Sequence, residues 1–140
     1  MATSRVPDGG AFWRIVNGAN FCEIVDGGRC VTDGPGNYGN NERCAVKALR
    51  PLFLTAVQYD VEQTHDYVTV NMIPYPGSGP QAVRMNEGAR WVWESDSFIT
   101  DLGFKFCAEA AGTYVRTHVC MICMHVCMYL FVYACVYVCM

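Results

Sequence analysis

Short alternations of apolar and polar residues, each cut off by turn-forming residues, run from Phe12 to about Glu109. Phe12-Trp13-Arg14-Ile15-Val16 predicts a strand stopped by Asn17-Gly18, a dipeptide that readily supplies positive φ. Asp26-Gly27-Gly28 marks another turn, and residues 34–41 make a long loop rich in Gly and Asn. A strand is expected from Cys44 to Leu49 and another, after Pro51, from Leu52 to Val57. Tyr67 to Val70 alternates, with Val68 and Val70 on one face. Ala89, Trp91 and Trp93 share a face, as do Phe104 and Phe106 with Lys105 opposite. That strand context assigns at least one of the two tryptophans to the core rather than to a ligand-stacking surface. Pro74, Pro76, Gly77, Gly79 and Pro80 predict a loop incompatible with a helix. No window before residue 108 carries a 3.6-residue period. The pattern therefore predicts an all-β chain folded as an antiparallel, jelly-roll-like sandwich.

At 140 residues, one domain with a modest core is expected. A net charge of −3 is too small to point to nucleic acid or an acidic membrane surface as a partner. The distribution of charge says more than its sum. All thirteen carboxylates lie at or before Glu109, and Arg116 is the only Lys or Arg after Lys105. The chain thus divides into an N-terminal extension (1–11), a mixed domain (12–109) and an apolar tail (110–140). Cys22, Cys30, Cys44 and Cys107 are spread through the domain, which reads as a frame of two disulfides and an extracellular or cell-surface setting. Met1-Ala2-Thr3-Ser4-Arg5 is not followed by an apolar stretch, so a secreted module of this kind is expected to belong to a longer product. No Asn-x-Ser/Thr sequon is present.

Catalytic signatures are missing. No Gly-x-Ser-x-Gly, Walker loop or dinucleotide-binding glycine pattern occurs, and Gly77-Ser78-Gly79 reads as a turn. His65, the one histidine before the tail, reads as a surface residue without a catalytic role. What the domain does repeat is carboxylates at expected strand ends, in Tyr59-Asp60-Val61-Glu62, His65-Asp66-Tyr67-Val68 and Trp93-Glu94-Ser95-Asp96-Ser97. That arrangement suits a sandwich that clamps a divalent ion, not an enzyme pocket.

These pieces, in this order, resemble a CUB domain over roughly residues 12–109. The resemblance rests on Gly34-Pro35-Gly36-Asn37-Tyr38-Gly39, Asn41-Glu42-Arg43-Cys44, the two acidic strand ends, Ser95-Asp96 and Gly103-Phe104-Lys105. It implies a non-catalytic extracellular module that binds protein or carbohydrate ligands. It also implies calcium held by Glu62, Asp66 and Asp96, with Tyr38 as the orienting neighbour and Tyr67 beside the ligand. Where the family carries a further cysteine pair, this chain has Gln63-Thr64-His65 and the loop through Pro74 and Pro80. The family's familiar pairing would join Cys22 to Cys44 and leave Cys30 with Cys107. The pairing preferred on this reading is Cys22 with Cys30 and Cys44 with Cys107, because the strands carrying the latter two would be neighbours in a CUB-like sheet. Two other functions compete: a membrane-anchored surface protein, and a substrate-recognition fragment of a larger secreted protease.

The tail sets those alternatives. Residues 117–140 contain no Asp, Glu, Lys or Arg, and as a helix they would span about 36 Å against a bilayer core of about 30 Å. Cys120, Cys123, His125 and Cys127 offer soft ligands for zinc. Yet Tyr-Val-Cys-Met, the closing word, is what the tetranucleotide TATG encodes when read repeatedly, and His-Val-Cys-Met differs by one base. From about residue 113 the chain is therefore read as a translated simple repeat.

Overall fold

The structure, a computed structural model, describes residues 11–111. The simple repeat read from about residue 113, the alternative membrane segment (117–140) and the Cys/His cluster lie outside the described residues. Among the described residues no helix is long and apolar enough to cross a membrane.

Among the described residues, ten strands form two antiparallel sheets. They are β1 (Trp13–Asn17), β2 (Glu23–Val25), β3 (Cys30–Thr32), β4 (Arg43–Ala48), β5 (Leu52–Asp60), β6 (Tyr67–Val70), β7 (Ile73–Tyr75), β8 (Val83–Met85), β9 (Arg90–Glu94) and β10 (Gly103–Ala110). One sheet runs β1-β4-β9-β6-β7 and the other β2-β3-β10-β5-β8. The all-β sandwich read from the alternation is the fold.

The alternation works as period-2 patterning should. In β9 Trp91 and Trp93 are fully buried, in β10 Phe104, Phe106 and Ala108, and in β6 Val68 and Val70. The rings form one aromatic centre between the sheets. Phe104 and Phe106 stack at 4.7 Å, and Trp91 meets Phe104, Phe106 and Trp13 edge-on at 5.8, 5.0 and 6.3 Å. Such pairs add about 0.5–1.5 kcal/mol each beyond area burial, so this centre helps tie the two layers together. Both tryptophans are core, where the strand context assigns at least one.

Two turns use glycine for reasons the neighbours make plain. Gly18 ends β1 at φ +82°, and a Cβ there would run into the Arg43 carbonyl. Gly103 opens β10 at φ +96°, and a Cβ there would run into the Asp33 carboxylate.

The loop expected around Pro74 is partly a strand. Ile73–Tyr75 pairs with β6, Pro74 opposite Thr69, at the outer edge of its sheet. Proline is tolerated there because an edge strand need not donate every N–H.

The two disulfides are Cys22–Cys44 and Cys30–Cys107. This corrects the preferred pairing, and the topology gives the reason. β4, with Cys44, lies between β1 and β9, whereas β10, with Cys107, lies between β3 and β5 in the other sheet. Cys107 faces Cys30 directly in register. Cys22 precedes the Glu23↔Thr32 pair, so it lies at the far end of the β2–β3 hairpin from Cys30. Two such bridges form in an oxidising environment.

Asp33 ties β3 to β10 by accepting a 2.7 Å hydrogen bond from the Phe104 N–H through Oδ1, while its Oδ2 is buried without a partner. Burial pushes its pKa up to about 6, against the lowering effect of that hydrogen bond, and Glu42 adds repulsion. A carboxyl raised in the native state binds its proton more tightly when folded. Its contribution is complete below the ordinary value of 3.8 and is lost as pH rises to about 6. Asp33→Asn should therefore gain on the wild type by about 1 kcal/mol between about pH 4 and pH 7, a figure discounted for the group's partial exposure. Urea unfolding of both proteins at the two pH values checks this; parallel pH profiles would count against it.

Candidate metal and ligand edge

At one end of the sandwich the strand termini of both sheets meet, and one buried carboxylate organises them. Asp66 immediately precedes β6 and is the only fully buried charged residue among those described. Its Oδ2 accepts a 2.6 Å hydrogen bond from the Tyr38 hydroxyl, and its Oδ1 accepts a 2.7 Å bond from the Asp96 N–H. The Tyr38 oxygen in turn accepts from the Glu62 N–H at 2.9 Å. One chain of bonds therefore runs from Glu62, at the end of β5, through Tyr38 and Asp66 to Asp96, beyond β9. Burial, reinforced by the proton it donates to Asp66, holds the Tyr38 hydroxyl well above the usual phenol range, so it stays a donor.

The loop bearing Tyr38 is itself anchored. Its N–H donates to the Asp101 carbonyl at 3.1 Å, and its ring meets Trp93 edge-on at 5.0 Å. Glu42 accepts from the Gly39 N–H at 2.7 Å and from Trp93 Nε1 at 3.4 Å, while the Ser95 hydroxyl donates to the Gly39 carbonyl at 2.8 Å. Glu42 and Ser95 were read only as parts of motifs. Their positioning role becomes visible once the loop is laid over the end of β9. A second tie lies nearby, where the Tyr59 hydroxyl donates to the Tyr75 carbonyl at 2.6 Å and accepts from the Val68 N–H at 3.0 Å. It joins β5 to strands of the opposite sheet, and burial pushes its pKa up to about 12.

The turn between β5 and β6 is tight, with the His65 and Asp66 N–H groups donating to the Glu62 carbonyl at 3.4 and 3.0 Å. It places the Glu62 and His65 side chains together, with Glu62 Oε1 3.4 Å from His65 Nδ1. One donor atom each from Glu62, His65 and Asp96 lies within 4.8 Å of the others. Oε2 of Glu62 is buried with no hydrogen-bond partner, and the side chain is only 16% exposed. A buried, unpaired carboxylate oxygen beside further donors is what a cation would satisfy. Asp96 keeps Oδ1 on the Phe98 N–H at 2.9 Å. Asp66, both of whose oxygens accept hydrogen bonds from Tyr38 and Asp96, is not among the converging donors. The donor set thus fits a divalent ion.

Of the residues expected here, Glu62, Asp96, Asp66 and Tyr38 come together through the contacts above. Tyr67 begins β6 half-buried, paired with Glu94. His65, read as a bystander, stands among the donors. A second grouping, Asp26 with Cys30 and Cys107, offers no comparable site, because its sulfurs form a disulfide and Asp26 pairs with Lys105 at 2.6 Å.

Compared with known proteins, the chain matches no family model, no curated protein and no solved structure.

Proposed function

We propose that this chain is a CUB-like, non-catalytic binding module, acting extracellularly or at the cell surface. It engages protein or glycan ligands through the edge formed by Tyr38, Glu62, Asp66 and Asp96, with calcium bound there. The observation that carries the reading is the convergence of Glu62 and Asp96, from the strand ends of opposite sheets, together with a Glu62 oxygen that is buried and has no partner. Glu62 and Asp96 supply hard oxygens and negative charge of the kind calcium takes, and Asp66 holds the Asp96 backbone beside them. The loop leaving Asp96 exposes Phe98, Ile99 and Leu102 (78, 57 and 54%), apolar area that supports macromolecular recognition beside the ion. Two disulfides support an oxidising compartment for its work.

Calcium should then stabilise the native state by RT ln(1 + [L]/Kd), about 2.7 kcal/mol at a hundredfold excess over Kd. For a domain of this size the midpoint of thermal unfolding should rise by roughly 10 °C or more. Asp96→Asn should abolish that rise and leave the calcium-free midpoint unchanged or slightly higher, since a repelling charge is gone. An unchanged wild-type midpoint at millimolar calcium would remove the ion from the proposal.

A further inference from the structure

A calcium shell made of oxygens has no place for an imidazole, yet His65 reaches the same donors. The ring is 58% exposed and its Nδ1 lies 3.4 Å from Glu62 Oε1 and 3.3 Å from the Thr64 hydroxyl. A simple surface ion pair with Glu62 would engage Oε1. It would leave the buried Oε2 unsatisfied and give no role to the Asp96 oxygen within 4.8 Å. A shared cation accounts for all three. With metal–ligand bonds of about 2.1 Å, neighbouring ligands of a tetrahedral ion stand roughly 3.4 Å apart, so only Asp96 and a rotatable, exposed ring have to close in.

We propose that Glu62, His65 and Asp96 form a site for a borderline-soft divalent ion of the zinc class, which competes with calcium for this edge. The proposal rests on the reading that the edge holds a divalent cation, and it adds how that site is regulated. Imidazole with two carboxylates suits zinc, which takes three protein ligands and leaves a fourth position for water or a ligand group. Calcium takes six to eight oxygens and gains nothing from the ring. Both ions need Glu62 and Asp96, so they cannot be bound together. Zinc occupancy would replace the calcium-bound surface beside Phe98 with a smaller shell centred toward His65.

The test is calorimetric titration of the full chain, its free thiols alkylated without reduction so that the five tail cysteines do not take up metal. Zinc alone, calcium alone and zinc into calcium-saturated protein are each titrated into wild type, His65→Asn and Asp96→Asn. Zinc should displace calcium from the wild type. His65→Asn should weaken zinc by roughly tenfold or more and leave calcium within about twofold, while Asp96→Asn weakens both. An unaltered zinc affinity in His65→Asn, or zinc that binds without displacing calcium, overturns the competition and leaves the calcium reading in place. A wild type that binds neither ion overturns both.

Discussion

Replacing Cys30 and Cys107 together by alanine should cost roughly 4.5 kcal/mol of stability, more than replacing Cys22 and Cys44, which should cost about 3.4 kcal/mol. The two bridges differ in the length of chain they close. Cys30 and Cys107 are separated by 77 residues, and Cys22 and Cys44 by 22. In the native state the longer bridge adds little, because β3 and β10 are already hydrogen-bonded with these two residues facing. Its effect lies in the unfolded chain, where it confines β4 through β9 within one loop and removes entropy that folding would otherwise have to overcome. Domains of this size hold only about 5–15 kcal/mol in total, so the Cys30/Cys107 double variant should be partly unfolded at elevated temperature. Urea unfolding of both double variants at one temperature decides the order. An equal or smaller loss for the longer loop would place the stabilisation in native packing instead.

The same topology explains what could be read from the sequence. Alternation exposed the core because Trp91 and Trp93, Phe104 and Phe106, and Val68 and Val70 stand two apart in their strands and point to one face. β2, β3 and β8 have only three residues each, too few for a period to show. Pro74 reads as loop with its neighbouring prolines and glycines, but the N–H it lacks is not needed at a sheet edge, where it stands in β7. Disulfide partners depend on which sheet holds β4, and that is a long-range fact absent from local pattern. The acidic strand ends were legible as residue types in order. His65 was not, because its place among the donors follows from the turn after Glu62, whose geometry no motif announced. Glu42 and Ser95 were hidden for a similar reason, since each acts on a loop that only the folded chain brings near.

Asp66→Ala should destabilise the domain by about 4 kcal/mol and also remove the calcium-dependent rise in the unfolding midpoint. The carboxylate accepts two short bonds at a fully buried position, from the Tyr38 hydroxyl and the Asp96 N–H. A hydrogen bond to a charged group contributes about 1.5–3 kcal/mol, and here its loss strands the buried Tyr38 hydroxyl and the part-buried Asp96 N–H. Tyr38→Phe breaks two bonds of the same network, the one from Tyr38 to Asp66 and the one from the Glu62 N–H to the tyrosine oxygen, and should cost about 2 kcal/mol. The two changes share one bond, so the double variant should be less destabilised than their sum by about 1–3 kcal/mol. Urea unfolding of the two single variants and the double variant measures that coupling. Additivity within about 0.5 kcal/mol would mean that Tyr38 and Asp66 act independently. With coupling present, loss of the calcium response in Tyr38→Phe, a residue that adds no charge to the shell, would assign the tyrosine to holding Glu62 and Asp66 in place for the ion.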